Sequence, residues 1–493
     1  MTAVCVMVLG TTSGAGKSWL TTALCRHYAR QGLKVAPFKA QNMSNNARVV
    51  AGASGGQGEI GSAQYFQSLA ANAEPDVRMN PLLLKPEADT RSQVVLMGEV
   101  SRELSDMPWR GRSEKVWPTI TAALDALRAE NDVVVIEGAG SPAEINLHAS
   151  DIVNMRVARH AQARCLLVTD IDRGGAFAHL YGTWALLPPD ERALIHGFVL
   201  NKFRGDAALL APGPQMLQDL TGVPVVATLP MWWQHGLPEE DGVFDDKTRA
   251  AGVVTHTIAV IAYPRISNLD EFQPLKNVPG VRLVWARTPA DCAGADWIVL
   301  PGSKATGCDL AWLRTQGLDR GVADHAAQGG AVLGICGGLQ MLGEALIDSH
   351  GIEPMALGNA PGLGLLPLVT AFDANKTVRH THTRFTELVG CWAALSGVAT
   401  QGYEIHHGQT AQHPAMAAAG DVARPVLPDG LAWQNGAGNV LGVYLHGLFE
   451  DPRVLHALFG ASAPTLDSVF NGLADFLEQH AEPGVLKALI QKN

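Results

Sequence analysis

The stretch VCVMVLGTTSGAGKSWL, residues 4–20, determines the architecture expected for the first part of this chain. It opens with an apolar run suited to a strand buried on both faces, continues through a glycine-rich turn, and ends where a helical pattern begins. In parallel α/β sheets, a strand that passes through such a turn into a helix is a common place for phosphate binding. We therefore expect a phosphate loop directly after the first strand.

The turn holds the residue types that a nucleotide-binding loop needs. Gly14 and Gly16 allow backbone N–H groups to point inwards around a phosphate, and Lys17 can neutralise the β- and γ-phosphate oxygens. The Ser18 hydroxyl can complete a Mg²⁺ shell, and Thr12 belongs to the same loop. The first glycine of the motif stands one residue earlier than in its strict form, which lengthens the loop. The set predicts an ATP and Mg²⁺ site; an ordinary glycine-rich βα turn is the alternative.

Acidic residues follow two further buried strands. Glu137 lies near the end of the run DVVVIEG (132–138). Asp170 ends the run RCLLVTD (164–170), and Asp172 follows it. Open α/β sheets bind ligands beyond the carboxyl ends of their strands. We therefore predict Glu137 as a second Mg²⁺ ligand beside the loop hydroxyl, whereas capping explains either aspartate equally well.

Apolar runs alternate with helical patterns along the chain, which predicts an α/β protein with two doubly wound, mainly parallel sheets. The acidic segment 231–255, with its prolines and glycines, interrupts this alternation. We expect a phosphate-loop NTPase-like domain at 1–235, a linker at 236–255 and a second domain at 256–450. Helices in an extension at 451–493 should pack onto the second domain.

Composition limits the possible functions. The net charge of −10, without a long basic run, argues against nucleic-acid or anionic-membrane binding. The chain has no apolar run long enough to span a bilayer and no recognisable signal sequence. Its seven scattered cysteines have no metal-ligand spacing and fit a reducing compartment. We expect a soluble cytoplasmic protein that acts on small molecules, with its oligomeric state left open.

One cysteine differs from the other six because glycines surround it. The sequence GICGG (334–338) joins a predicted strand to a predicted helix, as in the elbow that presents a catalytic nucleophile. The following helix and a nearby imidazole would lower the thiol pKa of Cys336. The backbone N–H of Gly337, with a second donor near Gly302, would face an oxyanion. We predict a nucleophile here; a small buried cysteine is the alternative.

The histidine partner should come from another strand end. His446 follows the last predicted strand in GVYLHG, and we predict it as the partner of Cys336. His406 and His407, in GYEIHHG, are the rival candidates.

These motifs together resemble known families. GICGGLQMLG (334–343) is similar to the C-x-G-x-Q elbow of class I glutamine amidotransferases, which implies that Gln340 contacts glutamine. The phosphate loop is similar to that of dethiobiotin-synthetase-type ATPases. With FKAQNMSNN, NPLLLKP, EGAGSPAEINL, DIDRGG and GYEIHHG added, the chain closely resembles the cobyric acid synthase family over about residues 1–450.

The resemblance implies ATP- and glutamine-dependent amidation of the b, d, e and g carboxylates of adenosylcobyrinic acid a,c-diamide, giving adenosylcobyric acid. It implies Cys336 as nucleophile and His446 as catalytic histidine. Typical triad enzymes have a glutamate two residues after this histidine, where Leu448 stands here, as in the narrower family. Glu404 and Glu450 are the candidates for orienting the imidazole instead.

Two alternatives stay open. A cobyrinic acid a,c-diamide synthase pairs the same domains, although FKAQNMSNN and EINL favour the four-amide enzyme. A nucleotide-switch ATPase would use the second domain as a non-catalytic module, but such ATPases usually carry a second lysine where Thr11 and Thr12 stand. The candidates for binding corrinoid carboxylates are four cations near strand ends: Arg156, Arg173, Lys202 and Arg204. For each of them, a solvated surface charge is the alternative.

Overall fold

The fold was analysed in a computed structural model, which describes residues 2–52, 55–88, 90–233, 235–238, 253–353, 358–461 and 463–491. Most of the predicted linker, residues 239–252, lies outside the described residues.

Residues up to 230 form the first α/β unit. Its strands are β1 (Val4–Gly10), β2 (Val35–Phe38), β3 (Gln41–Met43), β4 (Ala47–Ala51), β5 (Gln57–Gly61), β6 (Leu82–Ala88), β7 (Arg91–Leu96), β8 (Glu99–Val100), β9 (Val133–Glu137), β10 (Arg164–Asp170), β11 (Ile195–Phe203) and β12 (Val225–Pro230). Its helices are α1 (Lys17–Arg30), α2 (Ser62–Ala70), α3 (Arg102–Asp106), α4 (Trp109–Glu130), α5 (Met155–Ala161), α6 (Ala176–Leu186), α7 (Pro189–Arg192), α8 (Ala207–Leu210) and α9 (Pro212–Thr221).

A six-stranded parallel sheet of order β12-β11-β10-β1-β9-β2 is the centre of this unit. Apolar cores on both of its faces explain why its strands are apolar runs without alternation. Smaller sheets, β3-β6-β7-β8 and the β4-β5 hairpin, are added outside this centre. Because β1, β9 and β10 are neighbours, the phosphate loop and the predicted acids meet at one sheet edge.

The second unit begins at residue 256. Its strands are β13 (His256–Ile261), β14 (Ile266–Ser267), β15 (Val281–Ala286), β16 (Trp297–Leu300), β17 (Gly302–Ser303), β18 (Ala331–Ile335), β19 (Ala345–Ile347), β20 (Asn359–Pro361), β21 (Leu368–Arg384), β22 (Ala399–Gln412), β23 (Arg424–Leu427), β24 (Ala432–Gln434) and β25 (Val440–Val443). The remaining helices are α10 (Gln273–Lys276), α11 (Thr306–Thr315), α12 (Leu318–Ala327), α13 (Gly337–Leu342), α14 (Pro414–Ala418), α15 (Pro452–Phe459), α16 (Leu466–His480) and α17 (Val485–Ala488).

Its main sheet has the order β15-β13-β16-β18-β25-β24-β23, parallel as far as β25 and antiparallel beyond. β18 leads into the cysteine elbow and β25 leads towards His446, and these two strands are hydrogen-bonded neighbours. The long β21-β22 hairpin packs against the β4-β5 hairpin of the first unit. The predicted pair of mainly parallel α/β units is confirmed.

The predicted packing of the C-terminal helices is wrong for α16 and α17. α15 does pack on the second unit, but α16 returns to lie on α1 of the first. Phe470, Leu473 and Leu477 are buried there, each contributing roughly 1.5–3 kcal/mol. Arg26 adds an ion pair with Asp467 at 2.5 Å. An apolar helix stripe identifies a buried face but not its partner, which explains the error.

Among the described residues, no helix combines the length and apolar character needed to cross a bilayer.

Candidate active sites

The phosphate loop has the backbone geometry that the glycines predicted. Gly14 and Gly16 have φ values of 72° and 102°, in the left-handed region, and α1 begins at the next residue, Lys17. An ideal Cβ on Gly16 would lie 2.0 Å from the Asn201 amide nitrogen, so a larger residue would clash. Lys17 Nζ donates to the Thr12 carbonyl at 3.0 Å, which folds the lysine back over the loop.

The predicted pair of Mg²⁺ ligands is in direct contact. Ser18 Oγ donates to Glu137 Oε1 at 2.9 Å, and Lys39 Nζ donates to the same oxygen at 2.8 Å. Gln67 Nε2 donates to the other carboxylate oxygen at 2.5 Å. Burial alone would raise the pKa of Glu137, but the Lys39 ammonium and these hydrogen bonds lower it. An ionised carboxylate beside a hydroxyl is a donor set that suits Mg²⁺.

Lys39 and Gln67 were not among the residues predicted for this site. Lys39 lies in FKAQNMSNN, whose density of polar residues was the available signal. The loop is also held by Asn201, whose amide donates to the Ala15 carbonyl at 2.9 Å, and by Lys202, which donates to the Gly14 carbonyl at 2.8 Å. Lys202 also pairs with Asp170 at 3.1 Å, so this acid helps to hold the loop.

A cavity of about 1130 Å³ extends from the phosphate loop. Its lining includes Arg173 and Lys202, two of the four cations proposed for corrinoid carboxylates. Arg156 instead pairs with Glu114 and lines a separate, smaller pocket. Arg204 pairs with Asp172 and is not among the described residues that line the large cavity. Aromatic residues form the apolar part of the lining: Trp19, Phe66, Trp232, Trp233 and Phe476.

The cysteine elbow has the strained backbone expected of a presented nucleophile. Cys336 has a φ of 50° and lies between β18 and α13. Its N–H donates to the Val443 carbonyl at 2.7 Å, which anchors the turn to the neighbouring strand. An ideal Cβ on Gly338 would lie 1.9 Å from the Leu300 carbonyl oxygen, so the elbow cannot hold a larger residue there.

His446 is the histidine that contacts this cysteine. Its buried imidazole interacts electrostatically with the Cys336 side chain, and its Nδ1 lies 3.2 Å from Glu271 Oε1. Glu271 Oε2 accepts the Gly447 N–H at 3.0 Å. Burial would lower the pKa of His446, but the charges of Glu271 and Cys336 raise it to about 10. The neighbouring Glu271 carboxylate therefore favours the protonated imidazole.

The prediction that Glu404 or Glu450 orients His446 is wrong. Glu404 accepts from Arg379 at 2.7 Å and interacts with His406 at 3.2 Å, while Glu450 pairs with an arginine of the first unit. Glu271 was not predicted, because it lies in the turn after β14 and far in sequence from both motifs.

The rival histidines are engaged elsewhere. His406 stacks on Tyr444 with ring centroids 4.0 Å apart, and its Nδ1 is 2.8 Å from the Gly408 carbonyl. His407 Nδ1 is 3.0 Å from the Asp373 carbonyl. Among the three histidines, the structure brings His446 to the cysteine.

The predicted glutamine-site residues gather around the elbow. Gln340 is buried in α13 and accepts from the Thr306 hydroxyl at 3.1 Å. An ideal Cβ on Gly302 would lie 2.8 Å from His446 Cε1, and one on Gly337 would lie 2.8 Å from the Ser303 nitrogen. A small cavity of about 50 Å³ adjoins this group, and its lining includes Cys336, Gln340 and His446.

Comparison with known families divides the chain at the same place as the two sheets. Residues 6–238 match the CobQ/CobB/MinD/ParA nucleotide binding domain. Residues 257–454 match the CobB/CobQ-like glutamine amidotransferase domain.

Curated relatives match almost the whole chain. A cobyric acid synthase of Acidovorax ebreus (strain TPSY) is 78% identical, with 99% of each chain covered. That of Polaromonas naphthalenivorans (strain CJ2) is 77% identical over 99% of this chain and 100% of its own. That of Leptothrix cholodnii is 68% identical over 98% of this chain and 96% of its own. With a phosphate loop and a cysteine elbow on two joined α/β units, the chain belongs to the cobyric acid synthase family.

Proposed function

We propose that this chain uses ATP and glutamine to amidate the b, d, e and g carboxylates of adenosylcobyrinic acid a,c-diamide, giving adenosylcobyric acid. The observation that carries the proposal is the pairing of two sites in one member of this family: a phosphate-loop cavity and a buried Cys336–His446–Glu271 arrangement. A carboxylate needs activation before an amine can replace its oxygen, and ammonia must arrive unprotonated. The phosphate-loop site would activate the carboxylate, and the cysteine site would supply the ammonia.

Glutamine hydrolysis would use the cysteine elbow. The Cys336 sulfur attacks the side-chain amide carbon of glutamine, and the carbon–nitrogen bond breaks as His446 donates a proton to the departing ammonia. Water then cleaves the thioester and releases glutamate. Glu271 keeps the imidazole oriented and stabilises its protonated form. Backbone groups near Gly302 and Gly337 would stabilise the oxyanion.

Carboxylate activation would use the first unit. Lys17 and the backbone of Gly14 and Gly16 would hold the ATP phosphates while the γ-phosphoryl group passes to a corrinoid carboxylate. Ser18 and Glu137 would hold Mg²⁺, whose charge offsets that of the phosphates.

The corrinoid would occupy the large cavity beside the nucleotide. Its volume of about 1130 Å³ exceeds the usual range of about 300–1,000 Å³ for small-molecule sites, so it can hold more than ATP. A corrin ring is apolar with carboxylate arms. Trp232 and Phe476 offer apolar contact, and Arg173 and Lys202 offer positive charge.

An amidation assay resolved by mass would test the proposal. With ATP and either glutamine or ammonia, the corrinoid should show four acid-to-amide mass shifts. Cys336→Ser should abolish the glutamine reaction and keep the ammonia reaction, whereas Lys17→Ala should abolish both. A wild-type enzyme that amidates the corrinoid with neither nitrogen source would contradict the proposal.

A further inference from the structure

The polar segment QNMSNNAR, residues 41–48, lies between the two cavities. Gln41, Asn42 and Met43 line the large cavity beside the phosphate loop. Asn45, two residues further along, lines the small cavity that adjoins the cysteine elbow. This segment of the first unit therefore borders both proposed sites.

The same segment holds the turn that carries Glu271. Asn46 Oδ1 accepts the Leu269 N–H at 3.0 Å, and the Ala47 N–H donates to Asn268 Oδ1 at 3.1 Å. Asn268 has a φ of 54° and precedes a short 3₁₀ turn at Leu269–Phe272. Glu271 is thus fixed by side-chain and backbone hydrogen bonds from the first unit.

Arg48 ends the segment and pairs with two carboxylates of the second unit. It is 2% exposed, and its guanidinium pairs with Asp270, the residue before Glu271. It also makes two hydrogen bonds to the Glu450 carboxylate, at 2.6 Å and 2.8 Å. Two carboxylates from different turns of the second unit are therefore held by one planar group.

Arg48 also reaches the catalytic histidine through an aromatic ring. Its guanidinium lies 5.0 Å from the ring centroid of Tyr403, which stacks on His446 at 5.4 Å with an interplanar angle of 22°. The Tyr403 hydroxyl accepts from Asn268 Nδ2 at 3.0 Å. The guanidinium also lies 4.9 Å from the ring centroid of Phe66, a residue that lines the large cavity.

We propose that Arg48 is a positioning residue for glutamine hydrolysis: held in the first unit, it fixes Glu271 through Asp270 and His446 through Tyr403. The inference rests on the proposed glutamine chemistry of Cys336. Under this proposal, glutamine hydrolysis at Cys336 depends on the contact between the first and second units. Because a displacement of about 1 Å can cost on the order of 10²-fold in rate, loosening this contact should impair turnover before it impairs glutamine binding.

The main test compares Arg48→Lys with Arg26→Lys. Lysine keeps a positive charge beside Asp270 and Glu450 but loses the planar fork. Arg26 is a matched control, because it is also buried, pairs with Asp467 at 2.5 Å and lies 5.5 Å from the Phe470 ring, in the contact with α16. Glutamate release gives kcat and KM for glutamine, and ammonia-supported amidation reports separately on the synthetase site.

For Arg48→Lys we expect kcat of glutamine hydrolysis to fall by about tenfold or more, with KM and the ammonia-supported rate within about twofold of wild type. Arg26→Lys should change none of the three by more than about twofold. If Arg48→Lys fails to fold, Asn46→Ala provides a milder change in the same contact. This variant should also lower kcat of glutamine hydrolysis.

Either of two results would overturn the role of Arg48. One is an unchanged kcat in a folded Arg48→Lys or Asn46→Ala variant. The other is an equal loss of the glutamine- and ammonia-supported rates, which would mean a general structural role. Failure of the corrinoid proposal would give a different result, because the wild-type enzyme would then amidate the corrinoid with neither nitrogen source. The role of Arg48 could still be tested in that case, by comparing the rates of glutamate release of the variants.

Discussion

Glu271 Oε1 lies 3.2 Å from Nδ1 of His446, although 175 residues separate the two in sequence. The glutamate comes from the turn after β14, and the histidine from the segment after β25. This arrangement leaves no need for an acid two residues after the histidine. Leu448, which stands there, is 1% exposed and belongs to the core of the second unit.

Glu271→Gln should lower kcat of glutamine hydrolysis by at least about 10²-fold, because the amide cannot stabilise a protonated imidazole. Glu271 and Cys336 raise the pKa of His446 to about 10, so removing the carboxylate must lower that pKa. The protonated histidine would then be lost at lower pH. The alkaline limb of the pH–kcat profile of glutamine hydrolysis should move to lower pH accordingly.

Glu404→Gln is the control for this change, since Glu404 is a buried carboxylate of the same unit that interacts with His406 instead. Its alkaline limb should stay at the wild-type position. Ammonia-supported amidation should be unchanged within about twofold by Glu271→Gln. An unmoved alkaline limb in that variant would show that Glu271 does not act on His446.

Lys39→Met should impair the synthetase site without affecting glutamine hydrolysis. Burial raises the pKa of Glu137 and the Lys39 ammonium lowers it, so the variant should raise that pKa. Glu137 would then need a higher pH to ionise, and the acid limb of ATP-dependent amidation should move to higher pH. The reaction should slow by about tenfold or more with both glutamine and ammonia.

The control for Lys39→Met is Lys34→Met, at an exposed position before β2. It should leave both amidation rates and the acid limb unchanged. If Lys39→Met slowed only the glutamine reaction, the assignment of Lys39 to the Glu137 site would be wrong.

The parts of the two sites that could be predicted are those contained in a contiguous motif. The phosphate loop and the Cys336 elbow each pass from strand through glycine turn to helix, so local sequence defines their backbone. Glu271 and Arg48 could not be assigned from the sequence. The partner of Glu271 follows a distant strand of the same unit, and the partners of Arg48 belong to the other unit, so only the tertiary structure brings them together. The β21-β22 hairpin was also missed, since its many polar residues give no apolar period.

Leu473→Ala tests the unexpected docking of α16 on the first unit. Leu473 is fully buried against the core that includes α1, so its truncation should lower the free energy of unfolding by about 2–5 kcal/mol. Leu220→Ala is the control, because Leu220 is 67% exposed on α9 and should cost less than about 0.5 kcal/mol. Urea unfolding of both variants measures the difference. Equal stabilities would mean that α16 does not pack as described.

A charge cluster centred on a buried carboxylate lies between the two units. Glu59, on β5, is 1% exposed and pairs with Lys85 of the first unit and, at 2.5 Å, with Lys376 of the second. Burial would raise the pKa of Glu59, but the two ammonium groups hold it at about 2. Its contribution to stability is therefore fully present above the unfolded value of about 4.5 and is lost as pH falls towards 2.

Glu59→Gln should lower the free energy of unfolding at pH 7 by up to about 3–5 kcal/mol, because it removes the counter-charge of Lys376 and leaves the buried Lys85 amine without its carboxylate partner. It should also reduce the loss of stability between pH 4.5 and pH 2, where wild-type Glu59 is protonated in the unfolded state but ionised in the folded state. Burial lowers the pKa of Lys85 to about 7, so its own titration lies outside this acid window. Urea titrations across the window measure both effects. The control is Glu103→Gln, which removes an exposed ion pair with Lys115 and should show the wild-type dependence of unfolding free energy on pH. If Glu59→Gln also showed the wild-type dependence, the cluster would not join the two units.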